Sequence, residues 1–373
     1  MRIMITGGGT GGHTSPARAI LEELQNRDSR LVAQWVGCSG SIEERVSASM
    51  AIPFRSLPIE GWPRRRTFRR VWVAAKLVWS GFRAWIYIRK FRPQAVVGVG
   101  GYVSLPLMWV AQRMGIPTII HEQNRLLGVA NRLLAPRATR ILLSFPETKG
   151  AYPPERSRVV GNPVRAAFAA PPETADARKS FGLELAVPVV LACGGSQGAK
   201  RINSAMGEAI TRFGFGEAQF IWMTGSADAA MAREAAAQAE ATTQVHSYIE
   251  DMASACAAAD LIVSRSGAST TAEIALLGKP SILVPYPHAT DNHQWHNAQA
   301  FVNAGAAILM EDESCTPNRL TTAIRDLLAD SHALERMGRA ARTLANPHAT
   351  DEIVEEILAL AFGIGTPSTA LDV

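Results

Sequence analysis

Two segments of this 373-residue chain follow the same local plan. In the first, Ile3-Met4-Ile5-Thr6 runs into Gly7-Gly8-Gly9-Thr10-Gly11-Gly12-His13, and a helical pattern follows over 16–24. In the second, Val189-Val190-Leu191-Ala192-Cys193 runs into Gly194-Gly195-Ser196-Gln197-Gly198-Ala199, with a helix from Lys200. A short apolar run, a glycine turn and a helix form the opening unit of a parallel α/β sheet. The run is buried on both faces, and glycine lets backbone come close to a ligand at the strand end. Meeting that unit twice predicts two doubly wound α/β domains in tandem, which the chain is long enough to hold.

The rest of the pattern agrees. Residues 41–50 read as helix, 54–57 as extended, about 69–91 as a long helix and 95–99 as a strand entering Gly98-Val99-Gly100-Gly101-Tyr102-Val103-Ser104. A strand over 117–120 ends in His121-Glu122-Gln123-Asn124, and alternation continues to Gly161-Asn162-Pro163-Val164-Arg165. Proline-rich 169–175 reads as a linker. Strands are expected again at 220–223, 244–248, 261–263, 281–284 and 306–310. The expected domains are 1–165 and 166–345, and 346–373 carries an amphipathic segment expected to return to the first domain. Polar residues collecting at successive strand ends mark a crevice at the carboxyl edge of a parallel sheet.

The stretch 264–299 holds the densest chemistry. A strand leads into Ser264-Arg265-Ser266-Gly267-Ala268, then Ser269-Thr270-Thr271 opens a helix carrying Glu273. A second strand ends in a polar loop with His288, Asp291, Asn292, His293 and Gln294. One reading is a nucleotide site: a helix N-terminus favours an anion, and a carboxylate can accept from both ribose hydroxyls. The other is a capping box with Thr270 at the N-cap and Glu273 at N3. His288, His293, His296 and Asp291 match no metal-ligand spacing. Gly194 to Gly198 formally fit G-x-S-x-G, but phosphate contact at a helix start suits Ser196 better than an elbow nucleophile. Gly7, Gly9 and Gly12 formally fit a dinucleotide fingerprint, yet the second strand ends in Gly37-Cys38-Ser39 where an acidic ribose ligand belongs.

Charge is localised. Ten of the 38 basic residues lie between Gly61 and Arg92 with no acidic one among them, leaving 28 basic against 33 acidic elsewhere. Four of the eight tryptophans fall in 62–92, and Val71, Trp72, Ala75, Val78, Trp79, Phe82, Trp85 and Ile86 recur there at helical spacing. A core-facing helix accounts for part of that stripe. Arginine-flanked aromatics also suit an anionic bilayer surface, better than nucleic acid, for which no module is visible. The four cysteines are scattered without a C-x-x-C, which predicts reduced thiols, no disulfide frame and no zinc module. No apolar run is long and uncharged enough to span a membrane, and the opening strand implies no signal peptide.

Seven motifs in order, GGGTGGH (7–13), GVGGYVS (98–104), HEQN (121–124), GNPVR (161–165), GGSQGA (194–199), SRSGASTTAE (264–273) and DNHQ (291–294), closely resemble the MurG family of bacterial glycosyltransferases, family 28, over roughly 3–362. The resemblance implies the GT-B fold: two Rossmann-like doubly wound parallel-sheet domains facing a cleft, with no metal in the site and no cofactor. It implies inverting transfer of N-acetylglucosamine from UDP-N-acetylglucosamine to the muramoyl-pentapeptide of lipid I, a polyprenyl-diphosphate-linked acceptor. The product is lipid II in peptidoglycan synthesis. It further implies a peripheral protein on the cytoplasmic side of the cell inner membrane, docked through Arg64, Arg65, Arg66, Trp72, Trp79, Phe82 and Trp85.

By motif, Thr10, Gly11, Gly12, Asn124, Arg165 and Ser196 become donor contacts, and Ile249 meets the uracil. Ala268, Ser269, Thr270, Thr271, Ala272 and Glu273 wrap ribose and phosphate, while Gln294 meets the sugar. Gly101, Tyr102, Val103 and Ser104 fall on the acceptor side. His13 is the candidate base, because imidazole titrates near neutral pH, with Glu122 in reserve. Arg165 stabilises the departing diphosphate. Two departures, Leu105 where the family usually has glycine and Thr14-Ser15 in place of an apolar pair, touch the acceptor side. A sugar-nucleotide epimerase on the same fold, or a non-catalytic sensor or membrane scaffold, are the other readings.

Overall fold

The computed structural model of the protein describes residues 1–9, 11–61, 69–195 and 197–363, and statements of number or absence below concern those residues. The chain forms two compact units, one of residues 1–166 with 348 onward, the other of 167–347.

In the first unit, strands β1 (Arg2–Thr6), β2 (Val32–Gly37), β3 (Phe54–Ser56), β4 (Ala95–Gly98), β5 (Thr118–Glu122), β6 (Arg140–Leu143) and β7 (Ser157–Val159) make one sheet in the order β3-β2-β1-β4-β5-β6-β7. Every pairing is parallel. Side chains alternate along a strand, so β1 feeds two cores. Ile3 and Ile5 pack with Ile20, Leu21 and Leu24 of helix Gly11–Arg27. Met4 packs on the opposite face with Ala84 and Ile88 of helix Arg69–Phe91 and with Leu107 and Met108 of helix Ser104–Arg113.

The C-terminal helix Ala349–Phe362 belongs to this unit. It places Ile353, Val354 and Ile357 in the first core, fully buried. Thr350 Oγ1 accepts from Val164 N at 3.1 Å and donates to Val164 O at 3.0 Å. Arg158 pairs with Glu352 at 2.9 Å and Glu356 at 3.0 Å. Each buried aliphatic side chain contributes about 1.5–3 kcal/mol, whereas the buried Glu356 carboxylate spends much of its attraction for Arg158 on its own desolvation. Packing anchors the helix, and the charges set its register.

The second unit repeats the plan with β8 (Val189–Cys193), β9 (Gln219–Met223), β10 (Thr243–His246), β11 (Leu261–Ser264), β12 (Ser281–Leu283) and β13 (Ala307–Leu309), in the order β10-β9-β8-β11-β12-β13. Its pairings are parallel as well. Val190, Ala192, Phe220, Trp222, Val263 and Ile282 form a core with helices Lys200–Arg212 and Pro317–Ala329.

The segment 169–175 is not the boundary. The division falls just before Ala167, Phe168 is buried, and Thr174 Oγ1 donates to Ala257 O at 3.3 Å. The prolines lie within the second unit, ahead of helix Thr174–Ser180.

Strand order reverses between β1 and β4 in one sheet and between β8 and β11 in the other. Connections leave in opposite directions at such a point, opening a crevice at the carboxyl ends of the strands.

Candidate active site

In the first unit, two glycine turns meet at that reversal point. Gly100 and Gly101 have φ of +93° and +79°. A Cβ on Gly101 would lie 2.5 Å from the Gly8 carbonyl oxygen, and one on Gly100 3.0 Å from His13 Nδ1. The turns touch because neither residue has a side chain. Tyr102 covers Gly9, its Cε1 lying 3.0 Å from where a Cβ would be, and Ser104 Oγ donates to Gly101 O at 2.8 Å. Val103 is buried beneath. Burial and the neighbouring Cys38 push the Tyr102 hydroxyl up to about 12, so it stays protonated and can donate. Of the two departures, Leu105 is half-buried on the helix behind the turn, and Thr14 is buried with Ser15 half-buried on the first helix.

Glu43 supports this pair of turns, a part the sequence reading did not assign. Its buried carboxylate accepts from Gly9 N at 3.3 Å and Cys38 N at 3.1 Å. The signal was an acid in the first turn of helix Ile42–Ser49, close behind Cys38 at the end of β2.

Helix Gly11–Arg27 begins inside the glycine run, so His13 lies in its first turn rather than at the exit of a loop. His13 Nδ1 is 3.1 Å from Val99 O and 3.1 Å from Gln123 Oε1. Gln123 Nε2 donates to Val99 O at 3.0 Å and lies 2.9 Å from His121 Nδ1. His121 Nε2 in turn lies 3.0 Å from Gly161 O. His121 is fully buried, and burial lowers it to about 4, so it is neutral.

Glu122 is also buried, and its carboxylate accepts four hydrogen bonds. One oxygen takes Asn124 N and Asn124 Nδ2, both at 3.1 Å. The other takes Gly128 N at 2.9 Å and Asn131 Nδ2 at 2.8 Å. A carboxylate so occupied holds the loop after β5 and orients Asn124.

In the second unit, register pairs Ser264 with Cys193, setting the carboxyl ends of β11 and β8 side by side. Gly198 has φ +81°, and a Cβ there would meet Thr224 O at 2.0 Å. Helices Lys200–Arg212 and Ala268–Leu277 start beyond these turns, with Ala199 and Gly267 at the N-cap and no side-chain cap on either. This decides against the capping box: Thr270 is the third helical residue and Glu273 the sixth. Ser269 and Thr270 lie in the first turn, and Thr271 Oγ1 donates to Gly267 O at 3.1 Å.

Ala268, Thr271 and Glu273 are buried, and Ala272 is half-buried. Burial, then the charge of the Glu273 carboxylate, raises the Cys193 thiol to about 12.

The polar loop clamps onto the same turn. Gln294 Oε1 accepts from Tyr286 N at 2.9 Å, Ser266 Oγ donates to Gln294 O at 2.8 Å, and Asn297 Nδ2 donates to Ser266 O at 3.1 Å. Asp291 and Asn292 are held at φ +52° and +53°. Asn and Asp tolerate that region best among residues with a Cβ, and such strain gathers at ligand sites. Ile249 is buried and its neighbour Tyr248 is exposed. Arg165 is half-buried in the segment just before the end of the first unit, and Gly11 and Gly12 lie in the first helical turn. Thr10, Ser196, Arg64, Arg65 and Arg66 lie outside the described residues.

The aromatic stripe is not the core face of its helix. Val73, Ser80, Ala84 and Ile88 turn inward, while Trp72, Trp79, Phe82 and Trp85 are 62%, 54%, 49% and 42% exposed. Trp79 stacks on Phe82 at 5.5 Å and Phe82 on Trp85 at 6.0 Å. Lys76, Arg89 and Arg113 lie over Trp72, Trp85 and Trp109. Glu60, just outside the acid-free run, pairs with Arg69 at 3.1 Å and with Lys76. No helix is long and apolar enough to cross a membrane.

Comparison with known proteins places this geometry. Residues 3–143 match the glycosyltransferase family 28 N-terminal domain and 189–353 its C-terminal domain. A relative in Chlorobaculum parvum, a UDP-N-acetylglucosamine--N-acetylmuramyl-(pentapeptide) pyrophosphoryl-undecaprenol N-acetylglucosamine transferase, is 40% identical over 97% of this chain and 100% of its own. A protein of the same description in an Exiguobacterium species is 37% identical over 96% of this chain and 100% of its own. The crystal structure of Acinetobacter baumannii MurG superposes with a TM-score of 0.75 at 30% identity, covering 96% of this chain and 99% of that one. A Neisseria meningitidis UDP-GlcNAc 2-epimerase shares the fold alone, at 14% identity over 96% of this chain and all of its own, with a TM-score of 0.65. The fold is GT-B, and the chain belongs to the MurG family within glycosyltransferase family 28.

Proposed function

We propose that the protein transfers N-acetylglucosamine from UDP-N-acetylglucosamine to the muramoyl-pentapeptide of lipid I, inverting the anomeric carbon and giving lipid II. The observation that carries this is the full-length match, 40% identical across both units, to a relative described as that transferase. The epimerase shares the fold at 14% identity only, and fold by itself does not carry function.

The second unit takes the donor. The helix starts at Lys200 and Ala268 offer backbone N–H groups and a positive dipole end to the diphosphate. Glu273 accepts from the ribose hydroxyls, Gln294 meets the sugar, and Tyr248-Ile249 meets the base. Arg165 steadies the charge that develops on the diphosphate as the sugar leaves. The first unit takes the acceptor over Gly101, Tyr102, Val103 and Ser104. His13 receives the proton of the acceptor hydroxyl as its oxygen bonds to the anomeric carbon. The bond to the diphosphate breaks on the opposite face and its electron pair leaves with UDP.

The exposed ring ladder and its cations dock the first unit on an anionic bilayer surface, at the cytoplasmic side of the inner membrane, where a lipid-linked acceptor is found. Mass spectrometry after incubation with UDP-N-acetylglucosamine and a polyprenyl-diphosphate muramoyl-pentapeptide tests the reading. One added N-acetylhexosamine with a β linkage by NMR is expected. Epimerised UDP-sugar with an unmodified acceptor would overturn it.

A further inference from the structure

Gln123 is buried at the end of β5, 1% exposed, and its polarity is dictated by what surrounds it. Its Nε2 lies 3.0 Å from Val99 O, 3.2 Å from His121 O and 2.9 Å from His121 Nδ1. The two carbonyls only accept, so the amide nitrogen must point at them. The opposite amide orientation would set Oε1 against two acceptors. Oε1 is therefore the atom 3.1 Å from His13 Nδ1. His121 Nδ1 accepts from Gln123, so its proton is on Nε2, 3.0 Å from Gly161 O, which again only accepts. His13 Nδ1 faces two acceptors, Val99 O and Gln123 Oε1, and so carries a proton. Its lone pair is on Nε2.

We infer that Gln123, held by His121, is a positioning residue that fixes His13 as the Nδ1–H tautomer and accepts from the imidazolium once Nε2 has taken a proton. This rests on His13 being the base of the proposed transfer. The order of polarity along the chain is set at its far end by the Gly161 carbonyl, in the segment that leads to Arg165. A second acceptor on Nδ1–H strengthens as the ring becomes charged, because hydrogen bonds to charged groups are the stronger kind. Among the described residues, the titratable groups on the elements packed about the two glycine turns are Glu43 against Gly8 and Gly9, Tyr102 over Gly9, and His121 and Glu122 on β5. His121 is neutral and Glu122 is occupied by the 124–131 loop.

The full-length protein tests this in two readouts. Two-bond ¹⁵N–¹H correlation spectra report the tautomer without turnover, with His13 assigned by the loss of its signals in His13→Gln. Wild type should show the proton on Nδ1, and Gln123→Met should show a mixture. In lipid I transfer, Gln123→Met should lower kcat about 10- to 100-fold, the rate equivalent of one hydrogen bond to a charged group, with KM for UDP-N-acetylglucosamine unchanged. The acid limb of its pH–kcat profile should move to lower pH, since the imidazolium loses an acceptor. In Gln123→Glu the limb should move to higher pH, since a carboxylate then faces Nδ1. A purely structural Gln123 would lower Tm and leave both limbs in place, and that result overturns the inference. So does a wild-type His13 protonated on Nε2, which needs no variant to fold. A tautomer that changes while the limb stays put overturns His13 as the base instead.

Discussion

Replacing Trp79, Phe82 and Trp85 together by alanine should detach the protein from anionic vesicles without unfolding it. These rings are about half exposed. An aromatic side chain offers about 150–250 Å², so each presents roughly 100 Å² to the surroundings, or about 2.5 kcal/mol at 25 cal/mol per Å² of full burial. Helices of this kind sink only about 5–10 Å into the headgroup boundary. Taking less than half of that area gives about 3 kcal/mol for the three rings, a factor of roughly 100 in partitioning.

Charge contributes less here than the count of cations suggests. Each cation near an anionic surface contributes about 1 kcal/mol, but Arg69 and Lys76 already face Glu60, which both of them hold below the ordinary carboxylate range. Cosedimentation with vesicles of varied anionic content is the assay. Binding should rise with anionic lipid and weaken, without vanishing, as salt screens the cations. Arg64, Arg65 and Arg66 changed to serine should remove part of the salt-dependent share. The inward face (Val73, Ser80, Ala84, Ile88) is untouched by the triple alanine change, so circular dichroism and Tm should stay near wild type. A folded triple variant that binds as tightly as wild type, or a wild type that ignores vesicles at low salt, would refute the reasoning.

Three further outcomes are expected. Glu273→Ala should weaken UDP binding by about 1–3 kcal/mol in calorimetry; Gly267 is the N-cap, so a lower Tm with unchanged UDP affinity would leave the carboxylate only a structural part. His13→Ala should keep UDP affinity while turnover falls by about 10²–10⁴, and near-normal turnover with an unaltered pH profile would remove it as base. His121 has a folded value of about 4, lowered by burial from an ordinary 6.5; the unfolded chain takes up that proton first, so stability present above about pH 6.5 is lost as pH falls towards 4, by roughly 3 kcal/mol over the window. Chemical denaturation of wild type and His121→Asn across that range measures it, and parallel pH slopes would contradict the assignment.

The sequence by itself determined a good deal. Apolar runs short enough to be strands, each followed by glycine or polar residues, defined both doubly wound sheets. Polar clusters named from sequence at strand ends lie at a carboxyl edge: Gly7 to Gly9, Gly98 to Gly101, His121 to Asn124, Gly194 and Gly195, and Ser264 to Gly267. Such features are legible because a two-sided buried strand and a glycine turn impose local composition.

What the tertiary structure decided had no local signature. The long helix is apolar on more than one side, so periodicity alone did not say that Val73, Ser80, Ala84 and Ile88 face the core and the tryptophans face out. Thr270 and Glu273 have capping-box spacing, yet the strand delivers the chain so that the helix starts at Ala268 and Glu273 is its sixth residue. Backbone N–H groups converge on Glu122 and on Glu43, contacts that no local pattern announces. The proton's place on His13 depends on residues 99, 123, 121 and 161, which only a folded sheet brings within 3.1 Å of one another in turn. Hydrogen bonds specify by distance and direction, and a chain's order fixes neither until the strands have paired.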